Sequence, residues 1–256
     1  DDEFNPLHNS LRLLLPLLPA LAASSPFLEG RSTHLQDSRL DFYGKNQQRI
    51  PSISGAIIPE FITSETAYQE KILQPMYRDI KPFDPEGILQ FEWLNSRAAI
   101  PKFAYNAIEI RIIDSQECVN ADIAIARAIV AILKHWLKES HYFLDNPCDT
   151  ERLKALYEKT KVNGLDVVID DKALLTQWGL PASVNTCRDA WSRLIETVSS
   201  DLDQTSQRCL DHILTNGNLS QRLLQACGND HTHANLLRVY RQLGHCLMTN
   251  QPLSAS

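Results

Sequence analysis

Between positions 107 and 114 the chain runs Ala107-Ile108-Glu109-Ile110-Arg111-Ile112-Ile113-Asp114, an alternation of isoleucine with charge. Strand side chains point alternately to two faces, so Ile108, Ile110 and Ile112 share one face while Glu109 and Arg111 share the other. The isoleucine face must pack on helices. The opposite face then holds a carboxylate beside a guanidinium near the middle of a sheet, and such charges need solvent, each other or a ligand. A metal–polyphosphate would suit them, the carboxylate holding Mg2+ and the guanidinium fork holding phosphate oxygens. A cross-strand ion pair on a solvated face also satisfies them, and from spacing alone it is the plainer account.

Outward from this stretch, the strand is expected over Phe103 to Asp114. Ser96 to Lys102 would join it to an earlier strand over Ile88 to Asn95, entered through the turn Phe83-Asp84-Pro85-Glu86-Gly87. That earlier strand would put Gln90 and Glu92 on one face and Leu89, Phe91 and Trp93 on the other. Paired antiparallel, the two strands make a polar floor, with Arg97 at the exit in reach of a carboxylate bound above it. Taken alone, Arg97 reads more plainly as an exposed loop arginine. A long helix with a broad apolar face follows over 120–140.

On the N-terminal side, the near-continuous leucines from Asn5 to Ala23 predict a buried helix, kinked or split by Pro16 and Pro19 and ended at Ser24-Ser25-Pro26. Residues 25–62 read as a long functional loop with one short helix near Leu40 to Gln48. Arg31, Arg39 and Arg49 punctuate it among Glu29, His34, Asp37 and Asp41. Arginines so placed suit the clamping of anionic substrates, or are simply solvated. Ser64 to Tyr77 predicts a helix capped by Ser64 or Thr63. From Asp149 onward the pattern is all helical, near 150–161, 170–178, 184–201, 203–216, 219–227 and 231–248, and residues 251–256 are expected to fray.

Composition bounds the class. The chain has 256 residues, 25 Lys+Arg against 31 Asp+Glu and a net charge of −6, which argues against a general nucleic-acid binder. Its 43% hydrophobic content suits a soluble globular protein and excludes a disordered or collagen-like one. The apolar run Leu11 to Ala23 is too short, and too interrupted by Arg12 and two prolines, to span a bilayer, so no membrane partner is expected. Six cysteines scattered singly read as reduced thiols, and without a secretory signal a cytoplasmic setting is the default. Asp230-His231-Thr232-His233 has the look of a metal cluster, but at a helix start it reads better as a cap. No GxSxG, Walker or GxGxxG motif occurs.

Two ordered blocks carry a family resemblance. The first is LLLPLLPALAASSPF from Leu13 to Phe27, then Glu29-Gly30-Arg31 and Asp37-Ser38-Arg39. The second is Glu92-Trp93-Leu94-Asn95-Ser96-Arg97, then Ala107 to Asp114, Gln116-Glu117-Cys118 and a helix starting near Asp122. Together they resemble the family-2 glutamate–cysteine ligases, carboxylate–amine ligases similar in fold to glutamine synthetase. The resemblance is strong over about residues 1–140 and fainter beyond.

What the resemblance implies is an α+β fold with an incomplete, curved antiparallel sheet covered by helices. Residues 1–145 would be the C-terminal part of the catalytic domain and 146–256 a helical region packed on it. It implies amide formation from ATP, Mg2+, glutamate and an amine such as cysteine through an acyl phosphate. Carried over, Glu109 would be a Mg2+ ligand, and Arg111 and Arg39 would act on the transferring phosphate. Arg97, Arg31 and Glu92 would meet substrate or nucleotide. Phosphoryl transfer relies on positioning and fixed positive charge, so these residue types fit the roles. The family's opening strands, with paired glutamates and a histidine, have no counterpart here. Asp1 falls well inside the family pattern, so the expectation is the C-terminal part of a longer enzyme with half a site. Its partners would be the missing N-terminal segment, or a second copy covering an exposed sheet edge. The alternative is a non-catalytic helical binding or regulatory module that keeps the fold without the chemistry.

Overall fold

The structure, a computed structural model, describes residues 3–138 and 147–254. The expected end of the long helix at 139–140, the expected boundary between 145 and 146, and Asp1-Asp2 lie outside the described residues. Helices dominate, joined by two small antiparallel hairpins, so the fold is α+β with little sheet.

The leucine-rich opening splits at its prolines. Helix α1 (Phe4–Leu14) gives way to a tight turn at Leu15–Leu17 and then to α2 (Leu18–Ala22), with Pro16 and Pro19 each in the first turn of the segment it opens. Proline is tolerated there because the first amides of a helix have no internal acceptor. The run is buried from His8 to Ala22, and it is the axis of the main core. Its interrupted backbone leaves carbonyls that side chains from distant segments fill. Trp178 Nε1 donates to Leu13 O at 3.0 Å, Thr160 Oγ1 to Pro16 O at 2.9 Å and Trp191 Nε1 to Leu17 O at 2.9 Å. Asn218 Nδ2 donates to Ala20 O at 2.9 Å and Gln116 Nε2 to Ala22 O at 2.8 Å. Buried carbonyls must be paired.

Residues 25–62 hold more structure than one short helix. Strands β1 (Phe27–Leu28) and β2 (Arg31–Ser32) form a hairpin whose turn, Glu29-Gly30, has both φ angles positive. Helix α3 (Ser38–Lys45) follows, capped by Asp37, whose Oδ1 accepts from the Leu40 amide at 2.9 Å. Ser64 caps the next helical run, which reads α4 (Glu65–Tyr68), a wide turn at Gln69–Leu73 and α5 (Gln74–Ile80).

The expected strand over 88–95 does not form. The turn at 83–87 is present, but the Asp84 carboxylate accepts from the amides of Ile88 and Leu89 at 3.0 and 2.9 Å, and the chain continues irregularly into a tight turn at Glu92–Leu94. The ladder is instead local. Strand β3 (Ala99–Lys102) pairs antiparallel with β4 (Ala107–Ile110), with Ala99 opposite Ile110, Ile100 opposite Glu109 and Lys102 opposite Ala107. The segment expected as a connector is thus a strand, and the expected strand start at 103–106 is the turn, closed by Asn106 at φ +48°. Pro101 is tolerated in β3 because a two-stranded ribbon leaves each strand one free side where proline costs no ladder bond. Ile108 and Ile110 pack against the main core, and Ile112 is fully buried in it, as the alternation required.

The remaining helices are α6 (Val119–Lys138), α7 (Thr150–Asn163), α8 (Lys172–Gln177), α9 (Cys187–Thr197), α10 (Gln204–Asn216), α11 (Leu219–Cys227) and α12 (His233–Thr249). The expected fraying of the tail fails at Leu253, which is buried. Its amide donates to Glu117 Oε1 at 3.0 Å, and its carbonyl accepts from Arg222 Nη1 at 3.0 Å, the two charged groups being themselves a fully buried ion pair. Among the described residues no helix is long and apolar enough to cross a membrane.

Candidate active site

The β4 alternation delivers Glu109 and Arg111 to the face away from the core. Arg111 Nε donates to Glu109 Oε1 at 3.0 Å, and Lys102 Nζ, diagonal to it on β3, lies 3.2 Å from Glu109 Oε2. Partial burial pushes the Glu109 carboxyl up, but the hydrogen bond and charge of Arg111, then of Lys102, outweigh it and hold the group below the usual carboxylate range. Arg111 is anchored from behind, its Nη1 donating to Asn95 O at 2.8 Å, and Tyr43 of α3 stands beside it and donates to Arg97 O at 3.3 Å.

Arg39 reaches the same surface from α3. Its Nε pairs with Asp114 and its Nη1 donates to Arg111 O at 3.2 Å, with its side chain 40% exposed and Asp114 buried. Behind this pair lies a second carboxyl, Asp37. Ser25 Oγ sits 2.8 Å from Asp114 Oδ2 and 3.2 Å from Asp37 Oδ1, and Asp37 Oδ2 is buried with no hydrogen-bond partner among the described residues. Burial first, and the Asp114 charge second, push the Asp37 carboxyl up to about 7 against the opposing effects of Leu40, Arg39 and Ser25.

Arg97 meets a carboxylate, but one from its own chain. Its Nε and Nη2 each lie 2.6 Å from an oxygen of Glu60, and its Nη1 donates to Ser52 O and Asn95 Oδ1 at 3.2 and 3.1 Å. The side chain is 3% exposed, so the exposed-arginine reading does not hold. Glu92 falls in the irregular 88–95 segment, so the polar floor it was to form with Gln90 is absent. Arg31 sits on β2, in the hairpin where Phe27 packs edge-on against His231, and neither Arg31 nor Glu92 has an ion-pair partner among the described residues.

Glu109, Arg111, Arg39 and Arg97 are thus gathered around the 95–98 and 109–114 segments, while Arg31 and Glu92 stand apart. Lys102 and Asn95 escaped the sequence reading because both were assigned to the wrong elements. Reading Asn106 as a left-handed turn residue would have paired Lys102 with Ala107 and so set it diagonal to Glu109. Asp230 to His233 is a cap: Thr232 Oγ1 accepts from the Asn235 amide at 3.4 Å and Asp230 Oδ1 from the Thr232 amide at 2.9 Å. Among the described residues, no three His, Cys, Asp or Glu groups come together to hold a metal. All six cysteines are free and buried, and burial pushes the Cys187 thiol up to about 12, which disfavours a thiolate nucleophile. A cavity of about 420 Å³ lined by Ile132, Trp136, Trp178 and Leu194 lies apart from these residues.

Fold and site together define an α+β protein presenting carboxylate-paired arginines on and beside the outer face of a core-anchored hairpin. The chain belongs to the glutamate-cysteine ligase family 2, whose model matches residues 1–242. An uncharacterized protein of Archaeoglobus fulgidus is 41% identical over 133 residues, which are 52% of this chain and 36% of that relative. The match spans little more than a third of the relative's length.

Proposed function

We propose that this chain supplies the phosphate-facing part of an ATP- and Mg2+-dependent carboxylate–amine ligase joining glutamate to cysteine as γ-glutamylcysteine. The observation that carries the reading is the grouping of Glu109, Arg111 and Lys102 on the outer face of the β3–β4 ribbon, with Arg39 of α3 beside them, while Ile108 and Ile110 pack against the core. In the proposed reaction a γ-carboxylate oxygen of glutamate takes the γ-phosphoryl group of ATP and ADP leaves. The amine nitrogen then attacks the acyl carbon, loses a proton and expels phosphate, which leaves the amide. The protein forms no covalent bond, so its contribution is preorganised charge and position.

Arg111, fixed by Glu109 and the Asn95 carbonyl, would meet the transferring phosphoryl group. Arg39, held at Nε by Asp114, would turn its outer edge to the same anion. Arg97, already committed to Glu60, Ser52 O and Asn95, would hold the platform by tying the 52–60 loop to Asn95. Arg31 and Glu92 are assigned no step. Mg2+ would neutralise phosphate charge, but it demands a near-octahedral set of oxygens. Glu109 would be one ligand among several, since the described carboxylates do not complete such a site. The free edges of the β3–β4 ribbon support its membership of a larger curved sheet of the glutamine-synthetase-like type. The six free thiols support a cytoplasmic setting.

A non-catalytic module is the second reading, favoured by one observation: Arg39, Arg97, Arg111 and Glu109 all have intramolecular partners. Mass spectrometry for γ-glutamylcysteine after incubation with Mg2+–ATP, glutamate and cysteine tests the ligase. It should be run on this chain and on a longer polypeptide that includes whatever is encoded upstream. Product from the longer form is expected. In that form Glu109→Gln should lower turnover by about 10²-fold or more with the fold intact, the scale of losing one fixed electrostatic group. Unchanged turnover, or a longer form that is folded but binds no ATP, would favour the module.

A further inference from the structure

Asp37 and Ser25, which stand behind the Arg39–Asp114 pair, have no part in the proposed chemistry. One serine hydroxyl stands between two carboxyl groups and has one proton to give, at 2.8 Å to Asp114 and 3.2 Å to Asp37. Both carboxyls are buried, Asp37 completely, and among the described residues Asp37 Oδ2 has no partner. Two carboxylates in such a site do not both stay ionised when a single guanidinium serves them. Arg39 gives its Nε to Asp114, not to Asp37, and among the described residues nothing accepts from its Nη2.

We propose that Asp37 is a positioning residue for Arg39: it holds the proton of the carboxyl pair, so that Asp114 alone is the anionic partner and Arg39 presents its outer edge to an anionic ligand. This rests on the reading of Arg39 as a phosphate-facing group. With the proton on Asp37, the trio Arg39, Asp114 and Asp37 is neutral; without it the trio carries −1, beside a surface that must receive a polyphosphate. Burial and the neighbouring Asp114 charge keep that proton in place up to about neutral pH. The groups facing Asp37 are Asp114, Ser25, Arg39 of its own helix, and Tyr157 of α7. The Tyr157 hydroxyl is also buried without a partner among the described residues, and burial and Asp37 together push its ionisation upward. Lys161 of α7 turns its ammonium to Glu158 and Asp41 instead.

The test uses the full chain and metal-free inorganic tripolyphosphate, with Kd measured by calorimetry between pH 6 and 8 for wild type and Asp37→Asn. Asparagine keeps the cap to Leu40 and mimics the protonated acid. Asp37→Ser, which also keeps a capping oxygen, is the second variant should the first fail to fold. Tripolyphosphate titrates in this range, but that cancels in the ratio of wild-type to variant Kd. The ratio is expected to rise roughly tenfold from pH 6 to pH 8, the effect of one added negative charge near the site. In parallel, carboxyl 13C NMR should show Asp37 protonated well above the ordinary aspartate range. A flat ratio, or an Asp37 carboxyl that titrates near 4, overturns the proposal and leaves the ligase reading standing. If neither protein binds tripolyphosphate at any pH, the phosphate-facing role of Arg39 falls, and this proposal falls with it. A residue acting only as a helix cap would shift stability and leave the ratio flat.

Discussion

Arg97 shows how a charge read as functional becomes structural once its surroundings are known. Its guanidinium lies between Glu60, Ser52 O and Asn95 Oδ1, and it is backed by Gly55, whose φ is +54°. A Cβ at Gly55 would fall 2.6 Å from Arg97 Nη2, in a backbone conformation that L-residues avoid. Gly55→Ala is therefore expected to cost about 1–3 kcal/mol in urea unfolding, through strain and a displaced Arg97 together. Asp37 gives a pH signature at the same scale. Its folded-state ionisation lies above its unfolded one, so its contribution is fully present below pH ~4 and is lost as pH rises towards about 7. Relative to Asp37→Asn, wild type should lose about 1.4 kcal/mol per pH unit across that window. A difference that stays constant with pH would show that Asp37 titrates alike in both states.

At the level of elements, the β3–β4 ribbon depends on its turn. Asn106 sits at φ +48° and ψ +46°, the left-handed region that Asn and Gly visit and other residues avoid. Asn106→Ala should destabilise by about 1–2 kcal/mol, whereas Asn106→Gly should be near neutral, and parallel chemical denaturation of the two variants checks this. Were both equally costly, the side chain rather than the backbone would be responsible. The failure of the 88–95 strand belongs to this scale too. Its residues have suitable propensity, but Asp84 takes the amides of Ile88 and Leu89, and β4 already has a nearer partner across a short turn.

For the whole molecule, the proline-split α1–α2 run is the axis and the later helices close around it through Trp178 and Trp191. Trp191 is fully buried and its indole nitrogen satisfies Leu17 O. Trp191→Phe removes that donor and should cost about 1–3 kcal/mol by stranding a buried carbonyl; Trp191→Ala should cost about 3–5 kcal/mol and lower the melting temperature accordingly. The segment from Phe83 to Trp93 leaves Phe83, Ile88, Phe91 and Trp93 about half exposed or more, near a ribbon with free edges. Concentration-dependent association of the chain is expected in light scattering. Phe91→Ser with Trp93→Ser should reduce it; association that ignores both changes would place the contact elsewhere.

The sequence alone determined what depends on local periodicity and chemistry. The proline split, the Ser64 cap, the helices from 150 onward and the two faces of the strand carrying Ile108 to Ile112 follow from spacing, fixed φ and side-chain reach. So did the meeting of Glu109 and Arg111, because residues two apart on a strand must share a face. Tertiary structure alone decided which segment pairs with that strand, since Ile88 to Asn95 and Ala99 to Lys102 are both adequate strand formers and only packing and loop closure choose between them. It alone decided that Arg97 is spent on Glu60, and that Asp37 and Asp114, far apart along the chain, meet over one serine. Such meetings depend on distances between elements, and no pattern along the chain records those distances.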